Sequence, residues 1–278
     1  MNDSSVNSEA PGWMVMLCLA FAIYALLKGL SWFSRKQNPA ECWKDLAYLF
    51  LWPGMDVDRF LSCRDVVMRP STDEWLFAAF KFTIGLGLLI VAVLRLSDFG
   101  PNFAGWVGMF GIVFSLHFGL FHVLSLTWRF CGRNADPIMN WPIVSVSLAE
   151  FWGRRWNLAF RDLTHRFIFR PLVPIIGASG SLMAGFFVSG LIHDLVISLP
   201  SESGYGGPTT FFVLQAAGTL AERSRFGRFV GLGQGLFGRL FCAATLLVPL
   251  PLLFHRPFIC RVIVPFLETM RRSLWPSI

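Results

Sequence analysis

The feature that most constrains this chain is a series of apolar runs, several of them long enough to cross a bilayer. The first, GWMVMLCLAFAIYALLKGLSWF from Gly12 to Phe33, is interrupted only by Lys28 near its end, where the side chain is expected to snorkel. About 20 apolar residues span the hydrocarbon as a helix, and within lipid only helices or closed barrels satisfy every backbone group. Further runs cover Trp75 to Leu96, Ala104 to Trp128 and Pro171 to Leu199. A short one follows from Thr209 to Ala221, then one from Leu236 to Phe254 that is expected to bend at Pro249 and Pro251. A last piece, Phe258 to Leu267, can dip in or lie flat. "SDFGPN" after the second run reads as a turn, "GASGS" in the fourth as a break, and Cys42 to Trp52 as a weakly amphipathic piece closed by "WPG". The expected fold is all-α, a polytopic helical membrane protein of about six to eight transmembrane helices, forming one membrane-embedded domain over residues 1–278.

Composition agrees. Charged residues are 15% of the chain and hydrophobic ones 54%, whereas soluble domains carry about a quarter charged residues. The formal net charge of +7 fits loops facing anionic lipid rather than nucleic acid. Bases crowd Ser34–Glu74, Arg129–Arg170 and Glu222–Arg239, which places those segments on the cytoplasmic side and the N-terminus outside. The first run lacks a basic leader and reads as a retained span rather than a signal peptide. Cys18, Cys42, Cys63, Cys131, Cys242 and Cys260 form no CxxC pair and read as free thiols. The membrane is a bacterial inner membrane or the endoplasmic reticulum.

Two polar clusters stand out. In "FVSGLIHDLV" (Phe187 to Val196) a histidine sits inside an apolar run, and an ionisable group there marks a functional site by default. His193 suits a general base near neutral pH. Ser189 lies one turn earlier on the same face, Gly190 permits close approach, and Asp194 points about 100° away, so it does not orient His193 directly. The plain alternative is a buried histidine satisfied by a neighbouring helix. In "EFWGRRWN" (Glu150 to Asn157) two arginines and an asparagine stand among aromatic rings. On a continuous helix Asn157 shares a face with Gly153 and Arg161. An interfacial amphipathic helix, with tryptophans among headgroups and arginines on phosphate, explains most of that pattern.

The string "FWGRRWN", followed by "SGLIHD", closely resembles the membrane-bound O-acyltransferase superfamily, and most of all its wax-synthase-like branch. "GGPTTFFVLQAAGTLAE" (Gly206 to Glu222) is similar to the family's segment after the histidine. The resemblance covers roughly Trp141 to Glu222. Asp194 stands where glutamate is common, and the chain is short for the superfamily. The resemblance implies transfer of an acyl group from acyl-coenzyme A to the hydroxyl of a lipophilic alcohol, with no cofactor beyond that co-substrate. It places the catalytic histidine at His193 and the asparagine at Asn157, which would stabilise the thioester oxygen or fix the substrate. Arg154, Arg155, Arg161 and Arg166 are expected to meet the phosphates of coenzyme A, Trp152 and Trp156 to line an acyl tunnel, and Ser189 to touch substrate. Short-chain transfer from acetyl-coenzyme A to a sterol or terpenoid alcohol, a proton-coupled transporter using His193 as a relay, and an inactive lipid-binding scaffold are the alternatives.

The remaining signals are weaker. "HFGLFH" has desaturase-box spacing, but five histidines cannot furnish a di-iron site, so His117 and His122 read as packing or pore-lining residues. His165 reads as interfacial and His255 as a loop residue. "GRFVGLGQGLFG" (Gly227 to Gly238) follows no strand and reads as close helix packing rather than a nucleotide loop. No metal site is expected.

Overall fold

The computed structural model describes residues 10–36, 42–62 and 67–274, except for the side chain of Ser97. Cys63 lies outside the described residues. The described residues are mostly helical, with no strand among them. Five helices are long and apolar enough to cross a membrane: α1 (Gly12–Phe33), α4 (Thr72–Leu94), α6 (Pro101–Phe130), α8 (Leu158–Ser201) and α11 (Gly235–Leu253). Between them lie α2 (Cys42–Leu51), α3 (Val57–Leu61) and α5 (Leu96–Phe99), then α7 (residues 148–155), α9 (Gly207–Arg223) and α10 (Arg225–Phe229), with α12 (residues 256–274) closing the chain.

By length and apolarity, five of the described helices qualify as spans, in keeping with the expected polytopic helical membrane fold. The short apolar run at Thr209 became α9, which has 17 residues and carries Gln215, Thr219 and Glu222 buried against protein. Its buried face packs against α8, α11 and α7, while Leu214 and Ala217 on the opposite side are exposed. The last apolar piece packs into the protein core. Ile259, Val262 and Leu267 of α12 are fully buried in one cluster with Ala92 and Val93 of α4 and Met109 of α6. "SDFGPN" is also more helical than expected: α5 occupies it, and Gly100 (φ 73°) makes the turn into Pro101, the first residue of α6.

Close helix approach comes from small residues, as expected in lipid, where apolar burial alone does not drive association. A Cβ on Gly85 of α4 would lie 2.3 Å from the Ser115 nitrogen of α6. Gly177 (φ 70°) breaks α8 within "GASGS", a conformation costly to residues bearing a Cβ. Pro249 interrupts α11.

A second cluster packs around α2 and α3, where Tyr48, Val57 and Phe60 are almost completely buried. Here Lys28 departs from expectation. It does not snorkel: it is 2% exposed, donates to the carbonyls of Trp52 (2.8 Å) and Gly54 (2.5 Å), and lies over the Tyr48 ring. The "WPG" turn supplies the carbonyls, so an internal acceptor replaces water.

Candidate active site

The site is built on α7 and α8. Ser147 starts α7 by accepting the Glu150 N–H on its hydroxyl (3.0 Å). Glu222, buried at the end of α9, reaches back and accepts the N–H groups of Leu148 (2.8 Å) and Ala149 (2.6 Å). A carboxylate is thus set on the positive end of α7, satisfying amides that otherwise lack partners. Glu150 accepts from the Val146 amide (2.9 Å) and from Arg155 Nε and Nη2 (2.7 and 2.5 Å). The Val146 N–H is the largest cause holding its carboxyl below the ordinary 4.5; burial opposes it, and the Arg155 guanidinium adds to the lowering.

The helix does not continue through the motif as expected. Residues 151–155 form a π-helical turn, Trp156 is extended (φ −101°, ψ 127°), and Asn157 is left-handed (φ 42°, ψ 61°). Asparagine tolerates that conformation better than almost any residue but glycine. Its Oδ1 accepts the Phe160 N–H (3.3 Å), making Asn157 the N-cap of α8. With Oδ1 committed to the cap, the amide NH2 is the donor left for the cavity.

That cavity encloses about 390 Å³. Gly153, Asn157 and Arg161 all line it, although the break rather than a shared helical face brings them there. Trp152 and Trp156 form part of the wall, as do Phe160, Phe186 and Phe212. Trp152 is held by its indole N–H to Gln215 Oε1 (3.4 Å), and Gln215 in turn donates to the Thr245 carbonyl (2.8 Å).

His193 and Ser189 lie on the same cavity, from the second half of α8. His193 Nδ1 is 2.7 Å from the Ser189 carbonyl. A carbonyl only accepts, so Nδ1 carries the proton and the neutral ring keeps its lone pair on Nε2. The Ser189 hydroxyl is occupied, donating to the Gly185 carbonyl (2.9 Å), so Ser189 acts on His193 through its backbone. Phe212 covers the imidazole at 4.5 Å between ring centres. Gly190 lets α9 approach: a Cβ there would lie 2.6 Å from Thr209 Cα. Asp194 does turn away from His193. It accepts from Ser198 (2.8 Å), from the amides of Gly206 (2.9 Å) and Thr209 (3.1 Å), and from the Thr209 hydroxyl, and so caps α9.

The four arginines part company. Arg161 lines the cavity, 3.1 Å from Asp162. Arg155 is bound to Glu150 and also donates to the Asn140 and Trp141 carbonyls. Arg166 donates to the Ser34 carbonyl and lies 3.8 Å from Asp58. Arg154 is exposed and off the cavity. Two ionisable wall residues, Arg223 and His165, were not among the expected site residues. Arg223, at the end of α9, carried a signal in the position of its basic loop; His165, stacked on Phe169 (5.3 Å), carried none beyond its neighbours. His117 packs against Phe121, and His122 Nδ1 meets Lys81 Nζ at 2.7 Å, away from the cavity. His255 caps α12, its Nδ1 accepting the Phe258 N–H (3.2 Å). Among the described residues, no group of three or more metal-ligating side chains converges.

Residues 135–214 match the model of the membrane bound O-acyl transferase family. Among similar curated proteins, probable long-chain-alcohol O-fatty-acyltransferase 1 of Arabidopsis thaliana is 39% identical over 100 residues, covering 33% of this chain and 29% of that protein. Probable long-chain-alcohol O-fatty-acyltransferase 2 of the same plant is 30% identical over 159 residues, 51% of this chain and 46% of the relative. The long-chain-alcohol O-fatty-acyltransferase of Simmondsia chinensis is 30% identical over 100 residues, 33% and 28%. In each case the match spans less than half of the relative's own length. These matches bear out the likeness to the wax-synthase-like branch and, with the five apolar helices, make this a membrane protein.

Proposed function

We propose, for a chain that resembles the wax-synthase-like membrane-bound O-acyltransferases over its catalytic segment, that it moves an acyl group from acyl-coenzyme A to the hydroxyl of a lipophilic alcohol, giving an ester and free coenzyme A. The observation that carries this reading is the meeting of His193, with Nε2 unprotonated, and Asn157, with its amide NH2 uncommitted, on one aromatic-walled cavity.

An alcohol is a poor nucleophile until a base takes its proton in the transition state. His193 Nε2 accepts that proton as the alcohol oxygen attacks the thioester carbonyl. The carbonyl oxygen gains negative charge, which the Asn157 N–H stabilises at the wall. Collapse breaks the carbon–sulfur bond, and the imidazolium returns the proton to the departing thiolate. The Ser189 carbonyl holds the Nδ1 proton throughout and favours the imidazolium. Atoms balance without a covalent enzyme intermediate, metal or cofactor. The apolar walls exclude water, which would otherwise hydrolyse the thioester. They suit a lipophilic alcohol, and the relatives named for long-chain alcohols favour that acceptor; the membrane is a bacterial inner membrane or the endoplasmic reticulum.

The test supplies the chain in nanodiscs with palmitoyl- or acetyl-coenzyme A and a pool of long-chain alcohols, sterols and diacylglycerol, and follows esters by mass spectrometry. Ester from the wild type, cut about 10²- to 10⁴-fold in His193→Ala at equal folding, is expected. Full synthesis by His193→Ala removes the histidine from the mechanism.

A further inference from the structure

A second cavity, about 250 Å³, lies beside the first and is lined by Ser147, Arg223, Arg228, Gly233 and Gln234 among others. Arg223 belongs to the walls of both cavities, so the two adjoin at its side chain. Neither Arg223 nor Arg228 forms an ion pair among the described residues. Glu222 also faces this cavity, but both its oxygens are engaged by the Leu148 and Ala149 amides, so it does not neutralise the arginines by direct pairing. Gly233 (φ 82°) brings the loop against Ser147; a Cβ there would lie 3.3 Å from the Ser147 Cβ.

One face of α9 runs along the first cavity from His193 to Arg223. Phe212 packs on His193, and Phe212, Thr219 and Arg223, spaced seven and four residues apart, line the first cavity in succession. At the helical rise, Phe212 and Arg223 are separated by about 16 Å. The arm of coenzyme A between its diphosphate and its sulfur is a chain of about a dozen atoms with two amide links, reaching roughly 15 Å when extended like a peptide. An arm of that length laid along α9 from a thioester at His193 would reach the level of Arg223.

We propose that Arg223 and Arg228, at the second cavity, bind the phosphate groups of the acyl donor. This rests on the acyl-transfer reading and assigns the donor's anchor to residues other than the motif arginines. Guanidinium groups suit the role because they offer paired, permanently charged donors to phosphate oxygens. A lipid headgroup phosphate offers the same chemistry, so the test separates the two.

The 278-residue chain in phosphatidylcholine nanodiscs is assayed with palmitoyl-coenzyme A and with the palmitoyl thioester of N-acetylcysteamine, which has no phosphate. Arg223→Ala and Arg228→Ala should each raise KM for palmitoyl-coenzyme A about tenfold, and raise it far less for the truncated thioester. Coenzyme A alone, measured by calorimetry, should bind each variant more weakly by the same factor. Arg223→Lys should recover part of both. Equal losses with the two thioesters would assign the arginines to wall structure and overturn the proposal. A defect seen only when phosphatidylserine is added would make this a headgroup site, and also overturn it. A wild type that makes no ester from either thioester removes the acyl-transfer reading and the phosphate site with it.

Discussion

Two regions of this molecule bury polar groups in apolar surroundings, and they use them in opposite ways. Around Lys28, every named group is closed on another: the ammonium on two carbonyls, Ser31 on the Met55 carbonyl, and the Tyr48 hydroxyl on Ser31. None of these groups lines either of the two cavities. Around His193, the polar side chains are closed on one side only. His193 spends Nδ1 and keeps Nε2; Asn157 spends Oδ1 and keeps its NH2; both face about 390 Å³ of space. Buried polar groups are normally fully paired, since an unpaired one costs about 1–3 kcal/mol. What marks His193 and Asn157 as chemistry is an unspent group facing the cavity, not a missing partner alone: His117 Nδ1 is buried without a partner and lines neither cavity, and the fully paired groups are scaffold.

Asn157 offers the sharpest way to break this contrast, because its two roles sit on different atoms. Asn157→Asp keeps an oxygen for the Phe160 amide but has no N–H to donate. Ester synthesis should fall about 10²- to 10³-fold while thermal stability stays near wild type. Asn157→Ala should lose both. An aspartate variant with full activity would make Asn157 a cap alone.

Gly185 tests whether the space itself matters. It lies on the cavity wall two helical turns before His193, about 12 Å along α8, and a Cβ there would meet nothing within 4 Å. Gly185→Leu should leave the fold intact and shift preference towards shorter substrates by about tenfold or more in relative kcat/KM. An unchanged chain-length profile would mean that substrate does not pass this wall.

The smallest effect belongs to Glu150. Its carboxyl is held below the ordinary value in the folded chain, chiefly by the Val146 amide. The stability it contributes is present above the unfolded value of 4.5 and is lost as pH falls through the lower folded value. Melting temperature should decline over that acid range in the wild type, and Glu150→Gln should flatten that part of the profile.

Much of this was legible in the sequence. Apolar runs place the spans because hydropathy is a local property, and Gly177 and Pro249 mark breaks for equally local reasons. His193 stood out because its neighbours are apolar. What stayed hidden depends on distant partners. Nothing near Lys28 announces the Trp52 and Gly54 carbonyls, so snorkelling was the natural reading. Arg155 looked like a phosphate ligand, although Ser147 and Glu150 already had the spacing of a helix start, with the carboxylate placed to take its guanidinium. The left-handed turn at Asn157 and the convergence of Arg223 on the cavity arise from tertiary packing, which no helical periodicity encodes.

The most direct measurement compares His193→Gln with Lys28→Met in one experiment, scoring ester formed per folded molecule together with melting temperature. Lys28→Met leaves the buried Gly54 carbonyl unmet and the Trp52 carbonyl with only the Tyr24 hydroxyl, so it should lose about 1–3 kcal/mol of stability yet turn over normally where folded. His193→Gln should fold like wild type and make almost no ester. A Lys28 variant that folds well but is inactive, beside an active His193 variant, would contradict the division of this molecule into scaffold and catalytic chamber.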